Sequence, residues 1–181
     1  KNPKGSAGNY YDLSTHNLDG TARARSTANC YVVSHPGYYK LPLVYGNAIT
    51  GGATYSHAYI SNAPITIVNG KDVILHHFKD HDGKDIDDPW ISKTNGGANM
   101  PNAAKVVWAN ETGLVQNLQV TGSGENAFLQ FEVPEAYIKN GNAVVAVMKN
   151  NVVVWSWHLW FTSEDVLTPI ACTNKSTPTP F

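Results

Sequence analysis

The stretch Val152–Thr162, which reads VVVWSWHLWFT, decides the fold of this 181-residue chain. The pair Asn150-Asn151 precedes it and predicts a hairpin turn, because asparagine tolerates the positive φ that tight turns require. Side chains alternate between the two faces of a strand, so one face of this stretch is wholly apolar and is predicted to lie in the core. The members of this apolar face are Val153, Trp155, Trp157, Leu159 and Phe161.

The opposite face of the same stretch is mixed in character. It carries His158 and Trp160 beside two valines and a serine. An exposed Trp160 next to His158 would be able to stack on a sugar ring or dock a partner. The alternative is a central strand covered on both faces, in which His158 is hydrogen-bonded internally. Large aromatic residues in strands are more often packing residues than ligand contacts, which favours the alternative.

Short apolar runs bounded by Gly, Asn and Pro continue along the rest of the chain. Eight or nine such runs with almost no helical period predict an all-β fold, an Ig-like or transthyretin-like antiparallel β-sandwich of about 8–9 strands. Asn69-Gly70 predicts one further hairpin, and residues 79–102 form one long loop. We expect residues 1–26 to be a linker with an edge strand near Tyr10–Leu13, 27–163 to be the sandwich, and 164–181 to be a Thr/Pro-rich tail.

Composition restricts the classes of function. The net charge is −1 and only 15% of residues are charged, so no strong field attracts nucleic acid. No apolar run approaches the ~18 residues of a membrane span. The opening Lys-Asn-Pro-Lys-Gly shows no signal peptide, and we expect a mature fragment or excised module. A disulfide between Cys30 and Cys172 is one alternative, and a small buried Cys30 is the other.

A loop rich in aspartate and histidine is the candidate metal site. Carboxylates near a glycine are what a calcium loop needs. The spacing does not match a helix–loop–helix calcium site, a His/Asp mixture would also suit zinc, and a solvated acidic loop is the favoured interpretation. We therefore predict no required cofactor, with calcium as the alternative. The candidate ligands are Asp80, Asp82, Asp85 and Asp87.

No catalytic motif is visible in the chain. There is no Gly-x-Ser-x-Gly elbow and no His-Glu-x-x-His helix. Cys30 would be a nucleophile only with a histidine beside it in space, for which the sequence offers no support. We predict that the chain is not an enzyme. The aromatic side chains with a candidate role in ligand stacking are Trp160, Trp90, Tyr38 and Tyr39, with His158 beside the first.

Three separated stretches resemble a module found in surface proteins of the Bacteroidetes, many of them described as fimbrillin-like or adhesin-like. They are TANCYVV (27–33) followed by PGYYKLPLVYGNA (36–48), GNAVVA (141–146), and VWSWHLW (154–160). The resemblance covers roughly residues 10–163. It implies an exported, cell-surface or pilus-associated β-sandwich, and it supplies no catalytic or ligand-binding residues.

The expected function is a non-catalytic extracellular structural or adhesion module of a multidomain or pilus-associated bacterial surface protein. A carbohydrate-binding module with exposed aromatic side chains is the alternative, and an accessory domain of a polysaccharide hydrolase is a second one. The expected partners are neighbouring modules of the same surface protein or pilus subunits, and host or dietary glycans. The expected location is the bacterial cell surface.

Overall fold

A computed structural model describes residues 1–60, 66–68, 71–73, 78–166 and 168–172 of the chain. The strands, in chain order, are β1 (Tyr11–Asp12), β2 (Cys30–Val33), β3 (Gly37–Pro42), β4 (Ile49–Thr50), β5 (Ala53–Thr54), β6 (Thr66–Val68), β7 (Lys71–Val73), β8 (Ala103–Ala109), β9 (Gln116–Thr121), β10 (Phe128–Val133), β11 (Gly141–Lys149) and β12 (Val152–Phe161). A single-turn helix, α1 (Thr94–Gly97), and two 3₁₀ turns (Ser56–Ala58 and Gly124–Asn126) complete the described elements.

Two four-stranded sheets form the body of the fold. The first has the strand order β1-β3-β10-β9, and the second has the order β2-β12-β11-β8. The pairs β4–β5 and β6–β7 are separate two-stranded antiparallel ribbons. The all-β sandwich predicted from the sequence is confirmed.

The hairpin of β11 and β12 dominates the second sheet. Its turn residues Asn150 and Asn151 have φ values of 49° and 67°, which confirms the predicted turn. β12 is central, antiparallel to β11 and parallel to β2. The β1–β3 pair of the first sheet is also parallel, so the sandwich is not purely antiparallel as predicted. A short hairpin loop forces two strands to pair antiparallel. Neither β1 and β3 nor β2 and β12 are joined by such a loop, so these pairs are free to be parallel.

The core lies between the inner faces of the two sheets. It is one cluster of apolar side chains supplied by both sheets and by the loops at their ends. Full burial of large apolar side chains is the main favourable contribution to folding. Its largest fully buried members are Trp157, Phe131, Phe161, Leu41, Leu43, Ile91, Leu114, Leu129 and Leu159.

A β-bulge in β12 corrects the predicted core face. Trp157, Leu159 and Phe161 are buried as predicted, and Trp155 is half-buried. Val153, however, is 37% exposed, while Val154 is 3% exposed. The strand register explains why Val154 is buried in place of Val153. Val147 of β11 pairs with Trp155, and the next residue, Met148, pairs with Val153. Val154 is therefore an extra residue in β12, and the alternation of faces changes across it.

The N-terminal segment is part of the folded unit. The predicted edge strand is present as β1, and Leu13 and Ser14 are buried. The Lys4 amide donates to Pro36 O at 2.8 Å, which attaches the segment to the start of β3. Lys4 and residues 12–14 therefore contact the sandwich, as an edge segment does.

Some predicted features lie wholly or partly outside the described residues. The Asn69-Gly70 turn is one of them, although β6 and β7 on either side of it pair antiparallel. Most of the C-terminal tail, from residue 173, is another. Among the described residues, no helix has the length and apolar character needed to cross a membrane.

Candidate functional site

The outward face of the second sheet carries the candidate site. Side chains of directly paired residues share a face, and the register places Trp108, Val144, His158 and Cys30 in one row across β8, β11, β12 and β2. Trp108 is 54% exposed and Trp160, in the next row, is 36% exposed. The face therefore combines exposed indoles with polar groups at its centre.

His158 is held between two side chains from neighbouring strands. Its Nδ1 lies 3.1 Å from Cys30 Sγ, and its Nε2 lies 2.8 Å from Asn142 Oδ1. The His158 amide also donates to Asn29 O at 2.8 Å, so the backbone of β12 is fixed against β2 at this position. Asn142 lies on β11, so three adjacent strands each supply one of the three side chains.

The hydrogen-bond partners define the proton positions on the imidazole. The amide oxygen of Asn142 only accepts, so Nε2 of His158 carries the hydrogen. In the neutral ring Nδ1 is then an acceptor, and the Cys30 thiol is the donor to it. The resting arrangement is a thiol donating to imidazole, with the imidazole donating to an amide oxygen.

The cysteines do not form the disulfide considered above. Cys30 and Cys172 are both free and exposed, so Cys30 is not a buried packing residue either. Partial burial of its thiol nevertheless raises the pKa of Cys30. The thiol therefore remains protonated at neutral pH, which agrees with its role as donor to His158.

A cluster around Asn29, the residue before β2, supports the position of Cys30. Trp155 Nε1 donates to Asn29 Oδ1 at 3.2 Å, and the Trp155 ring meets the edge of the Tyr45 ring at 5.0 Å between centroids. Gly46 has φ +49°, and a Cβ there would lie 3.1 Å from Asn29 Nδ2. Asn29, the residue before Cys30, is thus held by Trp155 of β12 and by the turn at Gly46 after β3.

A cleft runs along the free edge of β2. It has a volume of about 610 Å³, and Cys30 is one of its lining residues. The N-terminal segment forms the opposite wall with Leu13 and Asp19, and the segment after β12 contributes Glu164. Sites for small ligands have volumes of this size. The acidic, basic and histidine side chains that line the cleft are Lys4, His16, Asp19, Arg23, His35 and Glu164.

The remaining stacking candidates do not share this face. Trp90 is 4% exposed and Tyr39 is 2% exposed, so neither ring has a face free for a ligand. Trp90 is attached to the sandwich by its bridge to Val44, just after β3. Tyr38 is half-buried on β3, where its ring meets Tyr10 edge-on at 5.8 Å. Of the aromatic candidates, Trp160 alone is exposed beside His158.

Asp80 organises the acidic loop from within. It is 8% exposed, and its Oδ1 accepts hydrogen bonds from the amides of Asp82 and Lys84, both at 2.9 Å. Its Oδ2 accepts from the side-chain amides of Asn95 (2.8 Å) and Asn99 (2.9 Å). Four donors therefore occupy the carboxylate, and these contacts explain the burial of an unpaired acidic side chain.

The other three predicted ligands do not converge with Asp80 on one point. Asp87 Oδ1 accepts from Thr94 Oγ1 and from the Asn95 amide, Asp85 pairs with Lys79, and Asp82 lies beside His81. Within the described ranges, no group of three or more His, Cys, Asp or Glu side chains is placed to hold a metal ion. His76 and His77 of this loop lie outside those ranges.

The fold and this face define the chain as an all-β sandwich with a Cys–His–Asn cluster on its second sheet. Comparison with protein-family models, with curated proteins and with solved structures finds no match.

Proposed function

We propose that this chain is a structural or adhesive module of an exported bacterial surface protein, in a multidomain or pilus-associated assembly. The all-β sandwich and the low charge support this role. The resemblance of the stretches TANCYVV, GNAVVA and VWSWHLW to fimbrillin-like and adhesin-like modules supports it too. The proposed location is the cell surface.

The observation that carries the adhesive role is the exposure of two indole rings on one sheet face. Trp108 and Trp160 lie on β8 and β12, and β11 between them places polar Asn142 opposite Trp160. Trp is enriched in the centres of protein interfaces, because its large flat surface loses little conformational entropy on binding. The partner that we propose for this face is a neighbouring module or subunit of the same assembly.

Photo-crosslinking tests this contact in the intact surface protein. A benzoylphenylalanine residue in place of Trp108 is expected to crosslink to another module or subunit of the same assembly. The matched control is the same residue in place of Tyr137, which is 49% exposed in the loop before β11. Equal crosslinking from both positions, or none from position 108, would contradict the proposal.

Carbohydrate binding is the second candidate function, and the exposed Trp160 ring beside the polar side chains of His158 and Asn142 favours it. A flat aromatic face stacks on a sugar, while nearby polar groups bind its hydroxyls. We expect a glycan that binds the chain to lose its signal with Trp160→Ala and to retain it with Tyr137→Ala. A glycan array without binding above background would eliminate this candidate.

A further inference from the structure

We propose that Cys30 is the nucleophile of an acyl-transfer site, with His158 as its general base and Asn142 as the positioning residue. The substrate class is an acyl donor, an ester or amide, bound in the cleft along the edge of β2. This inference goes beyond the adhesive role and does not depend on it.

The geometry is that of a nucleophile, a base and an orienting group. A nucleophile must lie within hydrogen-bond reach of its base, and the base must be oriented by a third group. Cys30 Sγ lies 3.1 Å from His158 Nδ1, and Asn142 Oδ1 lies 2.8 Å from Nε2. A Cys, a His and an Asn with these roles also occur in papain-like proteases on an unrelated fold, where the cysteine is the nucleophile of acyl transfer.

The three side chains have a rigid setting. Cys30, His158 and Asn142 project from three neighbouring strands of one sheet, so backbone hydrogen bonds fix their spacing. Sites built on strands hold their geometry better than sites built on loops.

The proposed step balances in atoms and charge. Cys30 transfers its thiol proton to His158 Nδ1 as Sγ attacks the acyl carbon and forms a carbon–sulfur bond. The bond from that carbon to the leaving oxygen or nitrogen breaks, and the imidazolium returns its proton to the leaving group. The product is a thioester on Cys30, which water or an amine then cleaves. Asn142 holds the ring with Nε2–H toward itself, so that Nδ1 keeps its lone pair toward the thiol.

The resting protonation state fits a general base rather than a preformed ion pair. Burial raises the pKa of the Cys30 thiol, so removal of its proton depends on His158 during the attack. Access is available, since Cys30 is exposed and lines the cleft of about 610 Å³. A cysteine that served packing alone would not be expected at the surface next to an oriented imidazole.

The second cysteine provides a control within the same molecule. Cys172 is free and exposed. The experiment treats the full chain with p-nitrophenyl acetate at neutral pH, follows release of p-nitrophenolate, and locates the S-acetyl group by peptide mass spectrometry. Cys30 is expected to be acetylated while Cys172 is not, and Cys172→Ser is expected to leave the rate unchanged.

Variants of the base and of the positioning residue decide the outcome. His158→Ala is expected to lower the rate at Cys30 by about 100-fold or more, the usual contribution of a general base. Asn142→Ala is expected to lower it by a smaller factor, and Asn142→Asp to restore it, because a carboxylate accepts the same Nε2–H. Thermal melting verifies that each variant is folded. Acetylation of Cys30 at the rate of Cys172, or a rate unchanged in folded His158→Ala, would overturn the proposal.

Discussion

Replacement of Trp157 by alanine is expected to lower the free energy of unfolding by about 3–5 kcal/mol, because it removes a large buried side chain and leaves a cavity. Trp157 is 1% exposed and is the largest of the fully buried side chains. It lies at the centre of β12, which is itself paired on both sides. Urea unfolding followed by far-UV circular dichroism measures the change.

The matched control lies three residues further along the same strand. Trp160 is 36% exposed on the outward face, so Trp160→Ala is expected to cost less than about 1 kcal/mol, as for most surface substitutions. Equal losses for the two variants would mean that the faces of β12 are assigned wrongly. The control also shows that the glycan experiment with Trp160→Ala compares folded proteins.

Replacement of Asp80 by asparagine is expected to destabilise the protein by about 3 kcal/mol, since each hydrogen bond to a buried charged group contributes about 1.5–3 kcal/mol. The carboxylate accepts from the amides of Asp82 and Lys84 and from the side chains of Asn95 and Asn99. An asparagine side chain presents its own NH₂ group to the two donors that one carboxylate oxygen now accepts, so two contacts become repulsive. Asp82→Asn, an exposed carboxylate of the same loop, is the control and is expected to change stability by less than about 0.5 kcal/mol.

The pH dependence of stability tests the same contacts independently. Burial opposes ionisation of Asp80, but the hydrogen bonds from Asn99 and from the amides of Lys84 and Asp82 outweigh it and hold the pKa below its usual value. A carboxyl group whose pKa is lower in the folded state than the unfolded value of about 3.9 stabilises the folded protein at pH values above about 3.9. This stabilisation is lost as the pH falls through the folded-state pKa. The difference between wild type and Asp80→Asn is therefore expected to narrow as the pH is lowered below about 4. A difference that stays constant from pH 7 to the acid end would contradict this account.

The local features of the fold were predictable from local sequence. Asn150-Asn151 marks the hairpin turn because asparagine accepts positive φ, and the apolar residues Trp157, Leu159 and Phe161 mark the inner face. The bulge at Val154 was not predictable, because two adjacent valines are equally suited to either face. The pairing register with β11 determines which of the two valines is buried, and the sequence of β12 alone does not specify that register.

The candidate site was predictable only in part. His158 and Trp160 were identified from the mixed face of β12, and both lie at the site. Cys30 and Asn142 were not connected to it, because their proximity depends on a parallel pairing between distant strands. The composition of the acidic loop made it the candidate metal site, yet the oxygens of Asp80 accept hydrogen bonds from the loop itself. Composition shows that carboxylates are present in the loop, but it does not show that hydrogen-bond donors of the loop already occupy the oxygens of Asp80.

The parallel pairing of β2 with β12 has a kinetic consequence. Cys30 and His158 are separated by 128 positions along the chain, and β12 is the last strand among the described residues. Contacts between distant positions form late, because the entropy of loop closure must be overcome before they contribute. During synthesis the Cys30 thiol therefore lacks the His158 imidazole until residue 158 has emerged. The reactive pair is assembled by completion of the fold, so an unfinished or unfolded chain carries an ordinary thiol.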